Sequence, residues 1–439
     1  MGREEGTATS ANNHQIFNII IILASTFVLC VGAIAAFVVL RSYYAANSKK
    51  ELPTISISLK DITLEEFRTG AKKTKYPGNE ITITNKDNVA DYTDVEVRGR
   101  GNSTWGLPKP PFQIKFSEKV DLFDLGSSKT WVLLANYVDL SNLRNDIAFK
   151  LADMLEEKYA TRGEFVKVIV DDKYIGIYYL THKMETKKGS VDLKDKYGVL
   201  MEVDILHRDT EDCIDTNSGV CMTIKDTVAD EDEEAEIRDR AVKAFMDDYN
   251  KYEAAVRAKD YEALSEIVDV ESLAQYFIIS EFSVNPDAYV SSLYFYKDGF
   301  DDKIHAGPVW DYDYAFANRG WVWGKEGDEN IYSPYTTAVF RQSTEPKTEA
   351  EEGAIAAEFY KLIDMPEFQE EVKKIFKEKL SGRGEELVKW LTERAELIKE
   401  ETLADAEKWG FEGVEEDTEE LIDWVRRRFD YFEYTYGKD

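Results

Sequence analysis

Apolar and polar residues alternate through the first half of the soluble chain. Residues 52–59 (LPTISISL), 81–84, 94–98 and 111–116 keep a period of two, which predicts half-buried strands. Residues 131–135 predict another. Between positions 140 and 158, Leu143, Ile147, Leu151 and Leu155 recur every four residues, so a helix with one apolar face is expected. Residues 165–170 and 174–180 read as a hairpin turning at Asp171-Asp172-Lys173. Two further strands, 199–205 and 220–224, flank the loop CIDTNSGVC. After residue 228 the period changes: 229–259 is charged and helical, 272–282 is an apolar helix, and 293–297 and 304–310 read as strands around Asp298-Gly299. Residues 318–350 read as loop. The remainder is helical and acidic, and its most acidic part, 401–420, reads as a solvated helix face. No repeat or linker interrupts this sequence, so 52–439 is expected to be one α+β domain.

Upstream, residues 16–40 form an uncharged, mostly apolar run of 25. At about 1.5 Å per residue a helix of this length crosses a hydrocarbon core of about 30 Å. It is too long for a signal peptide, and the preceding Arg3, Glu4 and Glu5 lack that element's positive charge. The expected order is therefore a tail (1–15), one transmembrane helix (16–40), a stalk (41–51) and the large domain. Two signals on orientation oppose each other. Arg41, Lys49 and Lys50 outnumber Arg3, which by the positive-inside rule puts the domain in the cytoplasm. Cys213 and Cys221 suit a disulfide, which persists outside the reducing cytosol and points to an extracytoplasmic domain at the cell surface.

Composition narrows the function classes. The 439 residues carry 55 Lys and Arg against 85 Asp and Glu, a formal charge of −30. That balance argues against nucleic acid as a partner and against lying flat on an anionic bilayer. Three cysteines and four histidines exclude a disulfide-dense scaffold and leave little for a His-rich metal site.

Against this acidic background three clusters carry candidate chemistry. Arg98-Gly-Arg100-Gly-Asn-Ser-Thr-Trp105, followed by Lys109 and Lys115, can hold phosphate oxygens, or can be a Gly-rich turn with surface arginines. Alternation puts Lys115 on the face opposite Ile114. Glu281-Phe-Ser-Val-Asn285-Pro-Asp287 can orient a hydroxyl or bind a cation, although Asn-Pro also ends a helix without further purpose. Asp311 and Asp313 in GPVWDYDYAF sit between aromatics, where two carboxylates suit a hard cation such as Mg²⁺. A basic cradle, metal-holding acids and an acid near an acceptor hydroxyl are the parts of phosphoryl transfer. The H-R-D and D-F-G signatures of ordinary protein kinases are absent.

These residues resemble the spore coat protein H (CotH) kinase-like family, atypical relatives of the protein-kinase fold. The matching segments are RGRGNSTWGLPKPPFQIKF, WVLLANYVDLSNLRNDIAFKLADML, YIGIYYLTHKME, GVLMEVD, FIISEFSVNPDAY and KIHAGPVWDYDYAF, in order from about residue 98 to 317. The resemblance implies an atypical protein-kinase-like domain with a helical C-terminal part. It also implies ATP with Mg²⁺ or Mn²⁺ as cofactors, and a surface or secreted protein with Ser/Thr acceptors as partner. Carried over, Asp311 is the metal-binding aspartate assisted by Asp313, and Asp287 is the catalytic acid. Arg98, Arg100 and Lys115 face the nucleotide phosphates, with Arg144, Asn145 and Glu202 close by. Gln113 stands where the family commonly has a basic residue, and His182 where it has an acidic one. The competing reading is a surface adhesion or wall-polymer-binding module on the same fold. A glycosidase would need two acids facing across a sugar cleft, and the Arg/Gly loop fits phosphate better.

Overall fold

Alternating β-branched and aromatic residues build strands β1 (Thr54–Ser58), β2 (Tyr76–Asn85), β3 (Asn88–Gly99), β4 (Phe112–Asp121), β5 (Ser127–Leu134), β6 (Gly163–Val170) and β7 (Lys173–His182). In this computed structural model they close into a barrel ordered β1-β2-β3-β4-β5-β7-β6, sealed by parallel pairing of β6 with β1. Its interior is filled by Ile55, Ile57, Ile81, Val95, Val97, Ile114, Trp131 and Val168. Residues 51–204, 213–229, 234–285, 288, 291–318, 333–335 and 361–438 are described. The expected tail, transmembrane helix and most of the stalk lie outside them, as does Asp287. Among the described residues no helix is long and apolar enough to cross a membrane.

A second, antiparallel sheet follows from β8 (Gly198–Asp204), β9 (Cys213–Asp215), β10 (Cys221–Thr227), β11 (Ser291–Asp298) and β12 (His305–Ala306), in the order β12-β11-β8-β10-β9. Cys213 and Cys221 form a disulfide with a Cα separation of 5.5 Å. The strand expected over 304–310 stops at Ala306. Gly307 takes φ +102° and Pro308 has no N–H to donate, so the ladder cannot continue.

The helices are α1 (Leu64–Thr69), α2 (Arg144–Met154), α3 (Ala235–Ala258), α4 (Tyr261–Ile267), α5 (Val270–Ser283), α6 (Pro366–Lys379), α7 (Gly384–Trp409) and α8 (Val414–Tyr436). Thr63 and Glu66 start α1 with a reciprocal capping box, and Asp269 caps α5 through the Ser272 N–H. Helix α5 is buried on all sides from Ser272 to Ser283, which explains its apolar sequence. The outer face of β5, β6 and β7 (Val132, Phe165, Ile177, Tyr179) packs with the helices in a second core.

Residues 401–420 largely form the solvated acidic face expected of them, with Glu407, Glu412, Glu415, Glu416, Glu419 and Glu420 exposed, but two of the acids turn inward. Asp405 is buried and pairs with Lys109 at 2.8 Å, and Asp417 receives both terminal nitrogens of Arg144 at 2.9 and 3.0 Å. Helix α4 was not anticipated: its seven residues are too few to develop a helical period.

Candidate functional site

Register fixes the first wall of the site. Arg98 of β3 lies beside Gln113 of β4, and Gln113 beside Val132 of β5; the next row runs Glu96, Lys115, Thr130. Lys115 is exposed and Ile114 buried, as the alternation requires. Arg98 donates to the Gln113 side-chain oxygen at 2.8 Å, so the residue standing in place of a basic one orients an arginine instead.

The two glycines of the Arg/Gly loop serve packing. A Cβ on Gly99 would enter the indole of Trp105, and one on Gly101 (φ +81°) would strike Thr104. The Arg100 N–H donates to the Pro111 carbonyl at 3.4 Å. The Arg100 side chain crosses to the second sheet: its guanidinium lies 5.6 Å from the centre of the Trp310 ring. Burial pulls its pKa below the ordinary arginine value, and the charges of Asp311, Tyr294 and Glu202 oppose that pull.

The second wall is aimed by two bulges. The β8–β11 register slips between Ser291 and Leu293, leaving Ser292 at φ +59° with its Oγ donating to Asp311 Oδ2 at 3.0 Å. The β8–β10 register slips between Ile224 and Asp226, and Lys225 reaches Glu202 Oε2 at 2.5 Å. Glu202 lies between Thr223 and Tyr294 in the sheet. Burial beside Glu202 and Asp311 holds the Tyr294 phenol well above its ordinary pKa. Lys225, Ser292 and Tyr294 were missed in the sequence, because a bulge breaks the alternation that assigns faces.

Left-handed backbone gathers around the acidic loops. Asp311 takes φ +68°, Phe316 +51°, Ala317 +55°, and Val284, at the end of α5, +52°. For β-branched and aromatic residues this conformation is costly, on the order of 1–3 kcal/mol each, and such residues concentrate at functional sites.

Other predicted residues serve the framework. Arg144 is 2% exposed, and its guanidinium is taken up by Asp139 and Asp417. Asn145 accepts the Tyr312 N–H at 2.7 Å through Oδ1 and donates through Nδ2 to Asn136 Oδ1 at 3.2 Å. It thereby supports the Asp311 loop from behind. Lys109 is fully buried and donates to the Ile177 carbonyl at 2.6 Å besides its pair with Asp405. Asp313 is buried, its carbonyl accepting from Asn318 Nδ2 at 2.6 Å, and it is not among the acids acting on Arg100. Arg98, Arg100, Glu202 and Asp311 are thus brought together; Arg144 and Lys109 point their charges elsewhere.

Beneath the loop, Glu157 lies against Gly307 and accepts the Val309 N–H through both oxygens at 3.2 and 3.4 Å. Burial pushes its carboxyl up to about 8.

Among the described residues no three His, Cys, Asp or Glu side chains converge on a cation position. Mg²⁺ usually takes only one or two carboxylates and completes its shell with phosphate oxygens and water. Asp311, half-buried and beside a guanidinium, fits a cation held jointly with a phosphorylated ligand.

The family model described as CotH kinase protein matches residues 97–432. Among curated proteins, none matches the chain. The matched region begins within β3, beside Arg98, and runs to Phe432 of α8, so it takes in both walls and the helices behind them.

Proposed function

The chain belongs to the CotH kinase protein family, and on that premise we propose that it is an atypical protein kinase dependent on ATP and Mg²⁺ or Mn²⁺. Its acceptors are Ser/Thr hydroxyls of a surface or secreted protein. The barrel and the helical part with its second sheet are read as the two lobes of a kinase-like domain. One observation carries this reading: Arg100, just past the end of β3, lies over Trp310 and within the electrostatic reach of Asp311 and Glu202 from the second sheet side. Phosphoryl transfer is mostly positioning and charge stabilisation, so a site that brings a half-buried guanidinium near carboxylates has the required elements.

Within it, Arg98 and Arg100 bind phosphate oxygens, Gln113 orients Arg98, and Lys115 adds positive charge from the exposed row. Asp311, held by Ser292, is the ligand for the divalent ion, with Asp313 on the same loop as its predicted assistant. When bound, that ion neutralises charge on the transferring phosphoryl group. Asp287 is assigned, by the resemblance, to take the proton of the acceptor hydroxyl. Glu202 is paired with Lys225, which tempers its repulsion of the nucleotide.

Anchoring by one helix over residues 16–40 is part of the same proposal, with the large domain extracytoplasmic. The Cys213–Cys221 bridge supports that side of the membrane.

Calorimetry of ATP binding to the full-length chain tests the reading, with Mg²⁺, Mn²⁺ or chelator and with Asp311→Asn alongside. Metal-dependent binding that disappears in Asp311→Asn is expected. A folded wild-type protein that binds no nucleotide with either metal would favour the adhesion module.

A further inference from the structure

Helix α8 buries Leu421, Trp424, Val425, Arg428, Phe429 and Phe432 along one stripe. A guanidinium in the middle of such a stripe is out of place on hydrophobic grounds, since burying a charge costs several kcal/mol unless its donors are satisfied. Arg428 is 0% exposed. Its donors go to backbone carbonyls: Nε to Phe282 at 3.1 Å, Nη1 to Pro334 at 3.1 Å, and Nη2 to Glu281. Two of those carbonyls belong to the last turn of α5, where helix carbonyls lack intrahelical partners and a cation is favoured.

That turn bears on both acidic loops. Val284, the next residue, begins the segment that leads in sequence to Asp287. The Ser283 carbonyl accepts the Phe316 N–H at 2.7 Å, which closes the loop that starts at Asp311. The neighbours of Arg428 on the stripe grip the same two places. Trp424 meets the Phe316 ring edge-on at 6.0 Å, and Phe432 packs on Phe282 at 5.1 Å. One turn from the start of α8, Asp417 holds Arg144, whose neighbour Asn145 holds the Tyr312 N–H.

We infer that Arg428 is a positioning residue of the phosphotransfer site: from α8 it fixes the last turn of α5, and through Ser283 it fixes the Asp311 loop. This rests on the proposed kinase reading for its effect on turnover, but not for its effect on the loop. Tying these carbonyls with a cation rather than an apolar side chain lets one residue of α8 hold two backbone segments, the end of α5 and the stretch at Pro334, at once. A lysine keeps the charge but lacks the planar fork that reaches several acceptors.

The test compares wild type, Arg428→Lys and Arg428→Met with Val166→Ala, a barrel-core substitution that lowers stability away from the site, all in the full-length chain. Hydrogen exchange of the Phe316 and Val284 amides is the direct readout. Faster exchange there in the Arg428 variants, with Val166→Ala leaving it unchanged relative to the rest of the protein, is expected. Turnover with ATP and Mg²⁺ should fall about a hundredfold in Arg428→Met, with KM for ATP changed far less. Added guanidinium should restore part of it. Unchanged exchange at both amides, or a turnover loss that merely follows the unfolded fraction and matches Val166→Ala, would overturn the inference. If the wild type transfers no phosphate, the kinase reading fails, and the exchange result alone decides the role of Arg428.

Discussion

Asn145 Oδ1 accepts the backbone N–H of Tyr312 at 2.7 Å, joining the first turn of α2 to the residue after Asp311. Both residues are buried, so this N–H has no water to turn to. Asn145→Ala should cost about 1–3 kcal/mol in urea unfolding, the usual penalty for an orphaned buried donor. It should also weaken metal-dependent ATP binding in calorimetry, although Asn145 itself need not touch nucleotide.

Lys109 and Asp405 form a buried pair that ties the loop after the Arg/Gly segment to α7. Removing one partner strands the other charge. Lys109→Met should therefore destabilise by about 3–5 kcal/mol, while Lys109→Met with Asp405→Leu should recover most of that loss. Equilibrium unfolding of the two single variants and the double variant measures it. Strictly additive losses would show that the pair is not coupled.

Glu157 gives a pH dependence with a definite sign. Its folded pKa of about 8 lies above the ordinary 4.5, so the native protein keeps a proton that the unfolded chain releases. Its contribution to stability is therefore full below about pH 4.5 and is lost as pH rises to about 8. Glu157→Gln cannot ionise, and should gain on the order of 4 kcal/mol relative to wild type between pH 5 and 8. Parallel stability–pH curves for the two proteins would refute this.

The Cys213–Cys221 bridge closes a short loop whose tip docks on α3: Thr216 and Ser218 donate to Glu253 at 2.9 and 2.6 Å. A loop of this size gains about 2–3 kcal/mol from its cross-link. A dithiol reductant should lower the wild-type melting temperature and leave Cys213→Ser with Cys221→Ser unaffected. Equal responses of the two proteins would show the bridge to be without effect.

The local pattern of the sequence already contained most of the strands. The 171–173 turn, β1 to β8 and the apolar α5 follow from alternation, turn residues and a continuous apolar run, each of which acts over a few neighbouring positions. The Arg/Gly loop, Asp311 and Glu202 were also visible, as polar clusters within apolar surroundings and as segments of a family pattern that the match over residues 97–432 bears out. Tertiary structure decided which charges are free to act. Nothing local distinguishes Arg100, which lies over Trp310, from Arg144, whose partner Asp417 lies 273 residues away. Lys109, Asn145 and Arg428 likewise take their roles from partners that only folding brings near. A hydrogen bond or ion pair is worth most between buried groups, and burial is a property of the assembled core rather than of the residue. The two bulges that aim Ser292 and Lys225 depend in the same way on the register of β11 and β10 against β8. Local alternation gives a strand its two faces; pairing with its neighbours decides which side chain meets the site.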